Sequence, residues 1–120
     1  MIVRQEILNA KTALKDLPAV SPLPSASLVL VFGSRERFSD AKLPATLKAR
    51  FPAAQIIGCS TAGEISANGV LDDSLQITAI QWEKTVQRVT HTKMTSMQNS
   101  YETAADLARQ LKSDELKAVL

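Results

Sequence analysis

The chain is 120 residues long, about the size of one domain, and 45% of its residues are hydrophobic, which is typical of a globular protein rather than a disordered one. Its 14 basic and 12 acidic residues give a formal charge of +2 without any basic block, so nucleic acid is not an expected partner. The single cysteine and single histidine exclude a disulfide framework and a cysteine-rich zinc site. Because the sequence has neither a long apolar run nor a signal-peptide core, we expect a cytoplasmic protein with no membrane partner.

The N-terminal segment is predicted to be helical. Apolar residues recur at spacings of three or four across residues 1–17, which predicts one amphipathic helix. Pro18 ends this pattern, and Pro22 and Pro24 predict an irregular connector over residues 18–27. The α/β core is therefore expected over residues 28–120.

A strand–helix–strand unit is predicted to begin the core. Residues 28–32 are continuously apolar, which is typical of a strand covered on both faces. Residues 43–51 have one apolar face and are followed by Pro52, which predicts a helix. Residues 55–58 form a second apolar run, so the two strands should be parallel and joined by a right-handed crossover.

A loop and a hairpin are predicted to follow. Residues 60–73 are rich in turn-forming residue types and have no periodicity, as is common in functional loops. Residues 75–80 and 86–91 alternate between apolar and polar side chains, which predicts an antiparallel hairpin joined by a short connection at 83–85.

The C-terminal part is predicted to be a helix and the beginning of a strand. Residues 100–112 have a helical pattern, and Asn99 and Glu102 occupy the positions of a capping box. Residues 116–120 resemble the start of another strand, so we expect the chain to be part of a longer protein. An unpaired strand there would favour a homodimer through its exposed edge.

Together these elements predict an α/β fold with a mixed sheet. The βαβ unit is followed by an antiparallel hairpin, helices pack on the sheet, and the domain is truncated.

Side chains that can react or form hydrogen bonds are concentrated where the second core strand ends. Residues 58–65 read Gly-Cys-Ser-Thr-Ala-Gly-Glu-Ile, and ligands of open α/β sheets bind beyond such carboxyl ends. Backbone amides and hydroxyls there could hold a carboxylate, while Glu64 could receive an ammonium group, a pairing that suits an amino acid. The candidate ligand-binding residues are Gly58, Cys59, Ser60, Thr61, Gly63 and Glu64, with Ser34 and Arg35 at the end of the first core strand.

Three alternatives remain open from the residues themselves. Ser60 and Thr61 could instead satisfy loop backbone groups, with Glu64 pointing into water. Cys59 could be an enzymatic nucleophile with Glu64 or His91 as its partner, although a cysteine ending an apolar strand is more often a buried filler. An interaction module that recruits another protein is the third alternative.

Residues 58–65, together with residues 28–34 and the sequence Asp-Asp-Ser-Leu at 72–75, resemble the N-terminal half of the FIST domain. The similarity runs from about residue 26 to residue 120 and identifies a partial sensory domain of a mainly prokaryotic family. The resemblance implies a non-catalytic ligand-binding module of a bacterial signal-transduction protein, with small ligands such as amino acids. A C-terminal FIST region and a downstream signalling protein or domain would be its partners. Some relatives carry haem, for which His91 would be the available axial ligand, but no cofactor is expected here.

Overall fold

A computed structural model of the chain describes residues 1–17, 21–66 and 69–119. They divide into two compact units, one spanning residues 1–85 and one beginning at residue 86. No helix among the described residues is long and apolar enough to cross a membrane.

The first unit is built on a four-stranded mixed sheet with the strand order β1-β6-β2-β3. Strand β2 is parallel to β3 and antiparallel to β6, and β6 is also antiparallel to β1. A separate two-stranded antiparallel sheet pairs β4 with β5. The strands are β1 (Ile2–Leu8), β2 (Leu28–Gly33), β3 (Gln55–Ser60), β4 (Glu64–Ser66), β5 (Gly69–Leu71) and β6 (Leu75–Gln81). The α/β fold with a mixed sheet, predicted from the sequence, is confirmed.

Two helices of the first unit follow β2, namely α1 (Arg35–Phe38) and α2 (Leu43–Arg50). The predicted βαβ unit is present, since α2 lies between the parallel strands β2 and β3 in the sequence. Leu43 and Leu47 on one side of α2 join Val29, Val31 and other sheet residues in one buried cluster. Burial of these apolar side chains is the main force that holds the helix on the sheet.

The N-terminal segment forms a strand rather than the predicted helix. Residues 2–8 pair with β6 along their whole length, and Leu8 is buried opposite Leu75. Strand pairing therefore overrides the helical spacing, because β6 offers a complete row of backbone donors and acceptors. A short 3-10 turn, Leu14–Asp16, follows it, and Leu14 packs against the core.

The connector predicted over residues 18–27 is described in part. Residues 21–27 are irregular, as predicted, whereas residues 18–20 lie outside the described residues.

The antiparallel hairpin that follows the βαβ unit lies elsewhere than predicted. Residues 75–81 form β6 as expected, but residues 86–91 contain no strand, and β6 pairs instead with β1 and β2. The hairpin consists of β4 and β5, within residues 60–73, which the sequence had predicted to be an irregular loop. Its strands are only three residues long, too short for an alternating pattern to stand out.

The second unit contains a 3-10 turn, Met97–Asn99, and the helix α3 (Ser100–Leu111), which confirms the predicted helix. The Asn99 side chain makes no capping hydrogen bond, so the predicted capping box does not form. Residues 113–119 contain no strand, and the prediction of one at residues 116–120 is wrong for its described part, Leu120 lying outside it. Residues 116–119 therefore do not provide the exposed strand edge through which a homodimer was predicted to form.

Candidate functional site

The carboxyl ends of β2 and β3 meet at one edge of the sheet. Gly33 pairs with Ser60 across the parallel strands, and Leu75 at the start of β6 lies opposite Gly33. Leu8 at the end of β1 lies opposite Leu75, so four strand ends form one line. The loops that carry Ser34 and residues 61–64 therefore leave the sheet side by side, as the parallel arrangement requires.

A buried carboxylate ties these loops together. Thr61 donates its amide to the Gly33 carbonyl at 2.8 Å, and its hydroxyl donates to Glu64. The Ser74 hydroxyl donates to the other oxygen of the same carboxylate. Glu64 is 3% exposed and Ser74 is fully buried, while the Ser34 amide donates to the Ser74 carbonyl at 3.0 Å. The alternative in which Glu64 points into water is wrong, because its carboxylate faces inward and accepts two hydroxyl groups.

Two of the edge glycines are required by close backbone approach. A Cβ at Gly58 would overlap the carbonyl oxygen of Val31 on the neighbouring strand. A Cβ at Gly33 would lie 2.7 Å from the Ser74 carbonyl oxygen. At Gly63, by contrast, a Cβ would make only ordinary contacts, the shortest at 3.4 Å from the Asp72 carboxylate. Gly58 and Gly33 therefore have a structural reason to be glycine that requires no ligand.

The remaining candidate residues are exposed and spread over different surfaces. Cys59 is a free, exposed thiol, so the interpretation of a buried filler is wrong. Since side chains alternate along a strand, Cys59 points to the opposite face of the sheet from Ser60. Arg35 is exposed at the start of α1. His91 belongs to the second unit, whereas Cys59 and Glu64 belong to the first.

A groove of about 340 Å³ opens beside this edge of the sheet. Among the candidate residues, Ser34 is the one that lines the described part of it. The groove is lined by Leu8, Ala10, Leu14, Ser34, Glu36, Arg37, Asp40, Leu43, Asp73 and Leu75. Leu8, Ala10 and Leu14 were not expected here, because residues 1–17 had been predicted to form a helix rather than a strand and a 3-10 turn.

Arg37 donates hydrogen bonds to two backbone segments beside the groove. Its guanidinium donates to the Asn9 carbonyl after β1 at 2.5 Å and to the Asp73 carbonyl before β6 at 3.3 Å. The Ser34 hydroxyl accepts the Arg37 amide at 3.3 Å and so caps α1. Asp73 has a positive φ of 53°, a conformation that aspartate tolerates better than most residues. The Arg37 guanidinium therefore links the segment after β1 to the segment before β6.

No group of three or more His, Cys, Asp or Glu side chains in the described part of the chain is arranged to hold a metal ion. The chemistry available at the edge is hydrogen bonding and charge, supplied by Ser34, Arg37 and the carboxylates around the groove.

Comparison with curated proteins gave no match, and comparison with solved structures gave none either. The family model described as the FIST N domain matches residues 27–120, which include β2 to β6, both helices of the first unit and α3. That match covers well over half of the chain and includes the hydrogen-bonded cluster of Thr61, Glu64 and Ser74. The chain therefore belongs to the FIST N domain family.

Proposed function

We propose that the chain is the small-ligand-binding part of a sensory signal-transduction protein, and that the ligand docks at the carboxyl edge of the sheet. The FIST family is associated with sensory signal-transduction domains and is not a known enzyme family. An amino acid or a similar small metabolite is the ligand class. A C-terminal FIST region and a downstream cytoplasmic signalling protein are the partners that would receive the signal.

One observation carries this proposal: four strand ends and the capped start of α1 converge beside a groove of about 340 Å³. This volume is at the lower end of the range of known small-molecule pockets, roughly 300–1,000 Å³. Ser34 lines the groove directly. The groove is therefore large enough for a metabolite of a few carbon atoms.

A series of hydrogen bonds leads from the groove to the β4–β5 hairpin and supports coupling between the two. The Ser34 amide bonds to Ser74, the Ser74 hydroxyl bonds to Glu64, and Glu64 is the first residue of β4. A ligand that moves Ser34 would therefore displace the anchor of the hairpin. Such a response requires that the ligand bind one arrangement of this chain more tightly than the other.

The test is a thermal-shift and calorimetric screen of the protein against amino acids and small metabolites. A ligand that binds only the folded state stabilises it by about 2.7 kcal/mol at a hundredfold excess over Kd, so its binding raises Tm. Ser34→Ala should weaken such a ligand by about tenfold, because it removes a groove hydroxyl worth roughly 1–1.5 kcal/mol.

Ser39→Ala is the matched control. Ser39 follows α1 and its exposed hydroxyl donates to the Arg35 carbonyl outside the groove, so the variant should keep the affinity of the unmodified protein. Absence of any hit across the panel, or hits that Ser34→Ala leaves unchanged, would contradict the placement of a sensor site at this edge.

A further inference from the structure

We propose that strand β3 accepts an extended apolar segment of a partner polypeptide as a fifth strand of the sheet. This inference goes beyond the proposed small-ligand site and does not depend on it. Three features of the first unit support it: the outward-facing backbone groups of β3, the lack of charge along that strand, and an apolar cavity beside it.

Strand β3 is an outer strand of the four-stranded sheet and pairs with β2. The amides of Gln55, and of Thr61 directly after the strand, donate to carbonyl groups on the β2 side at 2.9 and 2.8 Å. Because backbone groups alternate in direction along a strand, those of Ile56, Gly58 and Ser60 point away from β2. The structure shows no backbone partner for these three among the described residues. Such a row of N–H and C=O groups is matched by another extended strand, not by a helix.

Strand β3 also lacks the features that protect outer strands from pairing. It contains no charged side chain and no proline, both of which oppose the addition of a further strand. The outer strand on the other side of the sheet, β1, carries Arg4 and Glu6. On β3, by contrast, the apolar side chain of Ile57 is exposed. An uncharged partner segment therefore fits β3, because it brings no charge that would have to be desolvated.

An apolar cavity of about 170 Å³ lies between β3 and the helices α1 and α2. Its described lining consists of apolar residues and one glycine; Phe38 and Pro44 belong to the helix side, and Ile56 and Gly58 to the strand side. Pro44 is exposed, and Phe38 and Ile56 are half-buried, so this wall is accessible from solvent. Gly58 adds no side chain and leaves space above the strand. An aliphatic side chain on the added strand, facing α2, can therefore enter the cavity.

A second copy of the chain does not supply this side chain from its own β3. The residues of β3 that share the face of Ile56 are Gly58 and Ser60, which are small or polar. Ile56 itself packs against the core and lines the cavity of its own copy. The occupant is therefore a segment of a different polypeptide, with an aliphatic residue on the side that faces α2 and no charge beside it.

The experiment measures binding of a dye-labelled, N-terminally blocked peptide, Gln-Val-Leu-Val-Gln, to the whole chain by fluorescence anisotropy. Five extended residues span about 17 Å, close to the length of the six-residue strand β3. Replacing the central leucine by alanine should weaken binding by at least about tenfold, because less apolar surface enters the cavity. Replacing it by aspartate should abolish binding, because the carboxylate would lose its hydration there.

Methyl groups on the peptide nitrogens distinguish strand addition from simple apolar contact. An extended peptide presents its N–H groups alternately to its two edges, so methylation of the second and fourth residues blocks one edge. Methylation of the third and fifth residues blocks the other edge. One of these two peptides should bind at least about tenfold more weakly, because it cannot donate to β3, and the other should stay within about threefold.

Two variants of the chain test β3 itself. Ile57→Lys adds a charge at a side chain that is 38% exposed, and Val3→Lys on β1, 41% exposed, is its matched control. Ile57→Lys should weaken peptide binding by at least about fivefold, whereas Val3→Lys should change it by less than about twofold. Ser60→Pro removes an outward N–H group that makes no bond to β2, and it should weaken binding by about fivefold as well. Urea denaturation shows whether each variant is folded.

The outcomes separate strand addition from other kinds of binding. Equal affinity of the two methylated peptides, or equal effects of Ile57→Lys and Val3→Lys, would overturn the inference. Absence of peptide binding at concentrations up to about 1 mM would also overturn it. Dimers in analytical ultracentrifugation that the peptide dissociates would show that a second copy is the occupant, contrary to the inference. A small-molecule ligand that depends on Ser34 concerns the proposed function alone.

Discussion

Gly58 illustrates how a residue can be marked for function by its surroundings and still be required by packing. It opens the polar sequence at the end of β3, which suggested a ligand-binding role. In the structure its Cα lies so close to the Val31 carbonyl that a methyl group cannot be added without moving one of the two strands. Backbone atoms cannot rotate away as a flexible side chain can.

We predict that Gly58→Ala lowers the free energy of unfolding by about 2 kcal/mol or more, since the added methyl group forces the parallel strands apart. Urea denaturation measures the change. Gly63→Ala is the matched control within the same segment and should change stability by less than about 0.5 kcal/mol, because its Cβ meets only ordinary contacts. Equal effects of the two substitutions would contradict the asymmetry seen in the structure.

The burial of Glu64 could not be predicted from its neighbours in sequence. Glu64 follows a glycine in a polar stretch, a context in which a carboxylate usually faces water. Its hydroxyl partner Ser74 is ten residues away and reaches it only because β6 begins opposite the end of β2. What the sequence did predict is that Ser34 and Thr61 follow neighbouring strand ends, since both come after apolar strands that had to be parallel.

At the scale of elements, helix α2 is tied to strand β1 by a buried ion pair. A single guanidinium nitrogen of Arg50 contacts both carboxylate oxygens of Glu6, at 2.7 and 2.6 Å. The Arg50 side chain is 3% exposed and lies 5.8 Å from the centre of the Phe51 ring. The pair joins α2, which lies within the family match, to β1, which precedes that match.

We predict that Glu6→Leu destabilises the first unit by about 3 kcal/mol, because it removes the carboxylate that contacts the buried charge of Arg50. The double variant Glu6→Leu, Arg50→Met should recover most of that loss, since an apolar pair replaces the ion pair. Chemical denaturation of the single and double variants measures both changes. The exposed pair of Asp106 and Arg109 provides a comparison, and Arg109→Met should cost less than about 0.5 kcal/mol.

Elements with local signals were predicted well, and those defined by distant partners were not. Strands β2 and β3 are short apolar runs, and α2 carries its own periodicity and a terminating proline, so each could be identified from a few adjacent residues. Strand β1 has charged residues at alternate positions and becomes a strand by pairing with β6. The hairpin was misplaced for the same reason, because β6 alternates as expected but finds its partners on either side in the sheet rather than next in the sequence.

At the scale of the whole molecule, the described core belongs entirely to the first unit. The buried residues in the described part of the chain lie between Leu8 and Ala79, and α3 contains none. A cooperative unfolding transition requires a shared core, so the two units should contribute very differently to stability.

We predict that a chain of residues 1–85 folds cooperatively, with a free energy of unfolding within about 1 kcal/mol of that of the full chain. A peptide that begins at residue 86 should be only partly helical in circular dichroism, because an isolated helix of about twelve residues is marginal in water. Loss of the cooperative transition in residues 1–85 would show that the second unit is needed for the core.

The position of β6 between β1 and β2 also determines how the chain must be assembled as it is synthesised. Gln5 bonds to Thr78, a residue 73 positions further along, and the whole of β1 pairs over similarly long separations. Strand β1 must therefore wait until β6 has been synthesised, while β2 and β3 can already pair with each other. Throughout that interval β1 exposes an unpaired backbone edge, so translation past β6 is the step that protects the nascent chain from pairing with its neighbours.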